Sequence, residues 1–172
     1  MNRSTIPDVY FTSSHAALDG RLRQRNAKRN PQRSNMQYVI AYLAAGLYMA
    51  AVDSVWLTTM INTYRQNIGE LLLPDGIRIA PAILFYLIYI FGIVWFAVSP
   101  ALANGGNWQT AAVNGALLGL VCYGTYDLTN QATMKIWPTF ITVMDLSWGV
   151  FLTSTAAVAG TLAARWYAGS SA

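Results

Sequence analysis

The chain predicts an all-α fold, an integral membrane four-helix bundle with both termini cytoplasmic, and three observations carry that expectation. Of its 172 residues, 55% are hydrophobic and only 10% charged, against roughly 25% charged in an ordinary soluble domain. Its apolar residues gather in four windows, each near the ~20 residues that a helix needs to cross a ~30 Å hydrocarbon core. Its cations are lopsided: Arg3, Arg21, Arg23, Arg25, Lys28, Arg29 and Arg33 place seven of the eleven before residue 36. The apolar runs are continuous, which excludes the ten-residue alternation of an outer-membrane barrel.

Residues 1–35 form a polar, basic tail with Pro7, Pro31 and several serines and no apolar periodicity. A disordered arm that touches anionic lipid headgroups follows from this composition. No apolar stretch before Met36 suits a cleaved signal, whereas an organelle-targeting role stays open as the alternative to a bacterial inner membrane. Basic tails also attract nucleic acid, but no recognised nucleic-acid fold accompanies this one, so no such partner is expected.

The first helix is expected over residues 37–60. A long connection, 61–79, follows, in which Leu71, Leu72 and Leu73 either dip back over the bundle or form a plain loop, and Pro74-Asp75-Gly76 signals a turn. The second helix, 80–102, is aromatic and uncharged, and Phe85, Tyr89 and Phe96 at helical spacing make a wall for core or lipid contact. An uncharged turn, 103–109, leads to the third helix, 110–134, and the fourth occupies 139–162. Gly115 and Gly119 on the third, with Gly149, Ala156, Ala157 and Gly160 on the fourth, give smooth faces for close packing.

Four spans put both termini on one side. That side carries the seven tail cations and Arg165, while the opposite loops carry Arg65, Arg78 and Lys135, so the positive-inside rule points the termini to the cytoplasm. Trp108, Trp137 and Trp166 stand near expected span ends, as interfacial aromatics do.

Asp53, Asp127 and Asp145 interrupt three of these spans. An ionisable group mid-span costs about 2.5–3.5 kcal/mol on insertion scales, so each asks for a partner or a task. Counting from the expected boundaries at about 1.5 Å per residue, all three lie roughly 8–11 Å below the outer surface, which favours one convergent site. Each has a same-face neighbour three residues on, Trp56, Asn130 and Trp148, whose indole or carboxamide can donate to a carboxylate on the next helix. Tyr123 and Tyr126 add hydroxyls from the third span. Asp53, Trp56, Tyr123, Tyr126, Asp127, Asn130, Asp145 and Trp148 are therefore the candidate ligand-binding residues. Three carboxylates in a low dielectric do not all stay ionised unless a cation sits among them, and Arg65 and Lys135 are candidates for it.

Cys122 is alone and reads as a packing residue. His15, the only histidine, lies in the tail, which excludes a histidine-based metal site or Ser/His triad in the bundle by count. No cofactor is indicated, and a carboxylate-only metal site is the one metal option left.

Ala41-Tyr42-Leu43-Ala44, Asp53-Ser54-Val55-Trp56-Leu57, Ala80-Pro81-Ala82-Ile83-Leu84-Phe85-Tyr86, Tyr126-Asp127-Leu128-Thr129-Asn130, Trp137-Pro138 and Asp145-Leu146-Ser147-Trp148-Gly149 occur in this order. From Met36 onward the chain resembles the bacterial DUF2177 family of small membrane proteins, over about four-fifths of its length. The resemblance implies a four-helix inner-membrane protein and brings no established activity. The basic tail departs from the family pattern, which starts near Met36.

Three functions fit the residues. A binding or transport protein would take a proton, cation or small amphiphile into the acid layer through a water-accessible crevice. A membrane-embedded enzyme acting on lipid would use one carboxylate as base and another as acid, reached laterally at the aromatic wall. A non-catalytic assembly subunit would have a closed bundle with every carboxylate satisfied and a smooth face for a second copy or another membrane protein. Binding or transport ranks first.

Overall fold

The computed structural model describes residues 31–74 and 76–170, with side chains from residue 34. It divides into a unit of Met1–Met36 and a compact unit of Gln37–Ala172, and the helices below belong to the second, apart from the first turns of α1. Residues 1–30 of the expected tail lie outside the described residues. Residues 31–35 are helical instead of disordered, because Pro31 stands at the first helical position, where its fixed φ and missing N–H suit a helix start.

Helix α1 covers Pro31–Ile68. It runs eight residues beyond the expected end, since no glycine or proline intervenes before Gly69, and the polar stretch 61–68 keeps its helical bonds while Tyr64 and Ile68 turn back to the bundle. A single 3-10 turn, Gly69–Leu71, ends it. Leu71, Leu72 and Leu73 are all exposed, so the triplet does not cap the bundle.

The second rod is α2, Ile79–Ile93, then a π-helical turn, Val94–Val98, then α3, Ser99–Ala103. Pro100 explains the π turn. In a regular helix its ring would press on the carbonyl of Phe96, and widening the preceding turn, with Ser99 N–H bonded five residues back to Val94, relieves that contact. Gly105 and Gly106, at φ 68° and 74°, reverse the chain into α4, Trp108–Thr133, which Asn107 caps by accepting from Gln109 N–H at 2.9 Å. Helix α5, Thr139–Ser170, extends eight residues past its expected end.

Among the described residues there are four helical rods and no strand. Three are long and apolar enough to cross a membrane by length and composition: Ser34–Leu71, Ile79–Ala103 and Thr139–Ser170. The expected fourth span, α4, has the length but not the apolarity, because Asn114, Tyr123, Thr125, Tyr126, Asp127, Thr129, Asn130 and Gln131 all fall on it.

α5 is central and packs on the other three rods. It runs antiparallel to α1, where Gly160 lies against Ala41 and Ala45, and to α4, where Ser154 donates to the Ala112 carbonyl at 2.9 Å, and parallel to the second rod, where Tyr89 bonds Thr153 at 2.8 Å and Val98 lies by Gly160. The α4–α5 approach is close enough to need glycine. A Cβ at Gly119 would stand 2.2 Å from the Gly149 carbonyl oxygen, so the two backbones touch as small-residue membrane interfaces do. The core beside them is alanine-rich, with Met49, Ile93, Val98 and Leu152 among its fully buried side chains.

The outer faces expose Val39, Leu43, Leu47, Val113 and Leu117, as a lipid-facing surface requires. Hydroxyls on these faces are satisfied within their own helix: Thr125, Thr129 and Thr133 each donate to the carbonyl four residues back. The expected aromatic wall divides, with Tyr89 buried in the core and Phe85 and Phe96 exposed.

Candidate functional site

The three carboxylates succeed one another in a line along α5: Asp53 bonds Trp148, Asp145 belongs to α5 itself, and Asp127 lies one turn before Gln131, which bonds Thr139 at the start of α5. Asp53, on the buried face of α1, accepts two bonds: from the Tyr86 hydroxyl of α2 at 2.6 Å and from the Trp148 indole N–H of α5 at 3.0 Å. One residue thus ties three helices together. Asp145, half-buried on α5, accepts from the Tyr64 hydroxyl of α1 at 2.5 Å, and Tyr64 in turn accepts from the Trp56 indole at 3.2 Å. Trp56 and Trp148 stack with centroids 4.2 Å apart and planes 6° from parallel. The Asp-x-x-Trp motifs of α1 and α5 therefore cross: the indole of one serves the acid of the other, directly in one case and through a tyrosine in the second.

Asp127 differs. It is fully buried, and neither carboxylate oxygen has a hydrogen-bond partner. The carboxamide nitrogen of Asn130, one turn along α4, is likewise buried and unbonded. The α4–α5 register set by Gly119 on Gly149 and by Gln131 on Thr139 brings Asp127 within about one turn of Asp145, whose charge reaches it. Gly124, three residues before Asp127 and so on the same face of α4, is buried, yet an added Cβ there would meet nothing within 4 Å. Space therefore adjoins the unpartnered acid.

Of the other expected site residues, Tyr123 packs its ring over Gly149 and meets Tyr89 edge-on at 6.5 Å, so it supports the helix contact and bonds none of the acids. Tyr126 faces outward, 59% exposed, edge-on to Trp137 at 5.6 Å. Its position next to Asp127 in sequence turns it some 100° away around the helix. Arg65 and Lys135, expected as counter-cations, are both exposed, and Asp127 is left without either. Among the described residues no group of three or more His, Cys, Asp or Glu side chains is arranged to hold a metal ion.

Two participants were not expected. Tyr64 fell in a stretch read as loop, and the run Ile61–Ile68 without a helix breaker was the signal that it continues α1. Tyr86 belongs to the second helix, which is expected to be aromatic and uncharged, and lies outside the wall of Phe85, Tyr89 and Phe96. Its hydroxyl, in a span without any charge, was the clue that a polar partner waits on another helix.

No curated protein and no solved structure matches the chain. The model of the DUF2177 family, described as predicted membrane proteins, matches residues 38–162. That interval contains every carboxylate, indole and tyrosine of the line described above, and on this match the chain belongs to the DUF2177 family of predicted membrane proteins.

Proposed function

We propose that the protein binds a compact positive charge, a proton or a small alkali cation, at Asp127, and that this site is its functional centre. The observation that carries the reading is the Asp127 carboxylate itself, fully enclosed with both oxygens unpartnered. An ionised carboxylate left so in a low dielectric costs several kcal/mol, a cost that a proton or cation offsets. Asp145 nearby adds negative potential, and the free space at Gly124 gives a small ion room. The enclosure favours an ion over an amphiphile, whose headgroup needs an open crevice.

Asp53 and Asp145 fit a different task. Both are satisfied by helix donors, the arrangement a non-catalytic assembly subunit calls for, and they act here as couplers of α1, α2 and α5. Asp127 is what that second reading leaves unexplained. The cation count supports a reading in which the termini are cytoplasmic and the acid line lies towards the outer surface of a bacterial inner membrane.

The test is infrared difference spectroscopy on the full chain in lipid nanodiscs, titrated with acid in one arm and with sodium or potassium chloride in the other. A proton ligand gives a carboxylic-acid carbonyl band, and an alkali ion gives a shift of the carboxylate bands. Either signal is expected to vanish in Asp127→Asn and to persist in Asp53→Asn. Spectra of Asp127→Asn that superimpose on those of the unaltered protein would refute the reading.

A further inference from the structure

Tyr64 occupies a position that the length of a span does not require. Helix α1 has 38 residues, about 57 Å at the usual rise, against a hydrocarbon core of ~30 Å. Its last turns carry Tyr64 to the flank of α5. There the hydroxyl accepts from Trp56 at 3.2 Å and donates to Asp145 Oδ1. A phenol has one proton and two acceptor sites, so filling an acceptor site with the indole N–H leaves the O–H free for the carboxylate.

We infer that Tyr64 is the positioning residue of the Asp127 site, holding Asp145 in place as the anionic neighbour through which that site draws its cation. The inference rests on the reading of Asp127 given above and adds to it the residue that sets the affinity. A charge-assisted bond is stronger than a neutral one and directional, so it fixes both the place and the charge of the Asp145 carboxylate. The groups that face this pair are few. Tyr64 bonds Asp145, and the α4–α5 register set at Gly119 and at Gln131 brings Asp127 within about one turn of it; among the described residues the electrostatic neighbours besides these three are the neutral phenols of Tyr123 and Tyr126. None carries a permanent positive charge, and Arg65 and Lys135 are exposed, so Asp145 is the charge that Asp127 experiences most directly. Tyr64 itself does not touch the ligand and acts through Asp145.

The experiment reads half-occupancy of Asp127 by the infrared signal, with acid and with sodium chloride as separate probes, in the full chain in nanodiscs. Tyr64→Phe removes only the hydroxyl and is expected to require about tenfold more cation for half-occupancy, the scale of a nearby charge that is no longer held in place. Asp145→Asn should lose at least as much. The double variant should lose no more than Asp145→Asn alone, because the tyrosine acts through the acid. Trp56→Phe, which keeps the hydroxyl but frees its orientation, should show a smaller loss in the same sense. This variant also carries the test if Tyr64→Phe does not fold.

A lowered melting temperature with half-occupancy unchanged in Tyr64→Phe would make the bond merely structural and overturn the inference. Additive losses in the double variant, or an unchanged half-occupancy in Trp56→Phe where Tyr64→Phe is unfolded, would overturn it too. Failure of the underlying reading is distinguishable, since the signal would then survive Asp127→Asn.

Discussion

Two substitutions of the same chemistry, Asp53→Asn and Asp127→Asn, should move stability in different directions. Asp53 accepts from Tyr86 at 2.6 Å and from Trp148 at 3.0 Å. Asparagine keeps one acceptor oxygen and replaces the other with a donor, so one of the two hydrogens, phenolic or indolic, faces an NH₂ group. A buried donor left unsatisfied costs about 1–3 kcal/mol in proteins generally, while single bonds between membrane helices average about 0.6 and reach about 1.7 kcal/mol. A loss of about 1–1.5 kcal/mol is expected. At Asp127 there is no bond to lose, and removing a buried unpaired charge is neutral or favourable, so the expected change lies between zero and a gain of about 1 kcal/mol. Denaturant titration of the full chain in mixed micelles, followed by the fluorescence of the stacked Trp56 and Trp148, measures both. A loss at Asp127→Asn as large as that at Asp53→Asn would refute the reasoning, because it would mean that Asp127 makes bonds its geometry does not contain.

Three further outcomes separate close packing, free space and surface charge. Gly119→Ala would drive a Cβ to 2.2 Å from the Gly149 carbonyl oxygen, and since backbone cannot swing aside the helices must part, a loss of about 1–3 kcal/mol in the same unfolding titration. Gly124→Ala meets no atom within 4 Å and should gain about 0.5–1 kcal/mol from the reduced flexibility of the unfolded chain, while weakening cation occupancy at Asp127 in the infrared assay by narrowing the space beside it. Arg65→Gln and Lys135→Gln, both on exposed side chains, should leave half-occupancy at Asp127 within about twofold, the range left to screened surface charges.

The helices were legible in the sequence because a bilayer demands long apolar runs, and the acids stood out because so little else in those runs is charged. The ends were less legible. Residues 61–68 are polar enough to pass for a loop by hydropathy, yet a helix needs a breaker or competing turn chemistry to stop, and the first glycine is Gly69. That one difference hid Tyr64, whose partner lies 81 positions away on α5. The glycine faces of α4 and α5 met as their spacing suggested, with Gly115 and Gly119 against Thr153 and Gly149. What spacing could not supply was the partition of the acids. Depth along a helix axis is nearly one-dimensional, and counting residues from the expected boundaries assigns Asp53, Asp127 and Asp145 one common level. Which donors each would find depends on rotation about the axis and on the other rods, so Asp53 gained two partners and Asp127 none.

The geometry of the shared Asp-x-x-Trp of α1 and α5 argues for a clamp and not for two halves of an inverted repeat. Repeat-related motifs in a transporter occupy equivalent surroundings. Here Trp148 donates to Asp53 directly, whereas Trp56 reaches Asp145 only through Tyr64, and the Tyr86 bond to Asp53 has no counterpart at Asp145. Sliding α1 along α5 would break both acid bonds and the indole stack together, three contacts that fail as one. The α4–α5 pair is held as tightly at Gly115 and Gly119, where the backbones touch. Between that contact and the Gln131–Thr139 bond at 2.8 Å near the far end of α4, Gly124 has open space beside it. The unpartnered acid thus lies one turn from open space in a bundle whose other two acids fasten it, so the proposed ion would be held at Asp127 without disturbing the clamp.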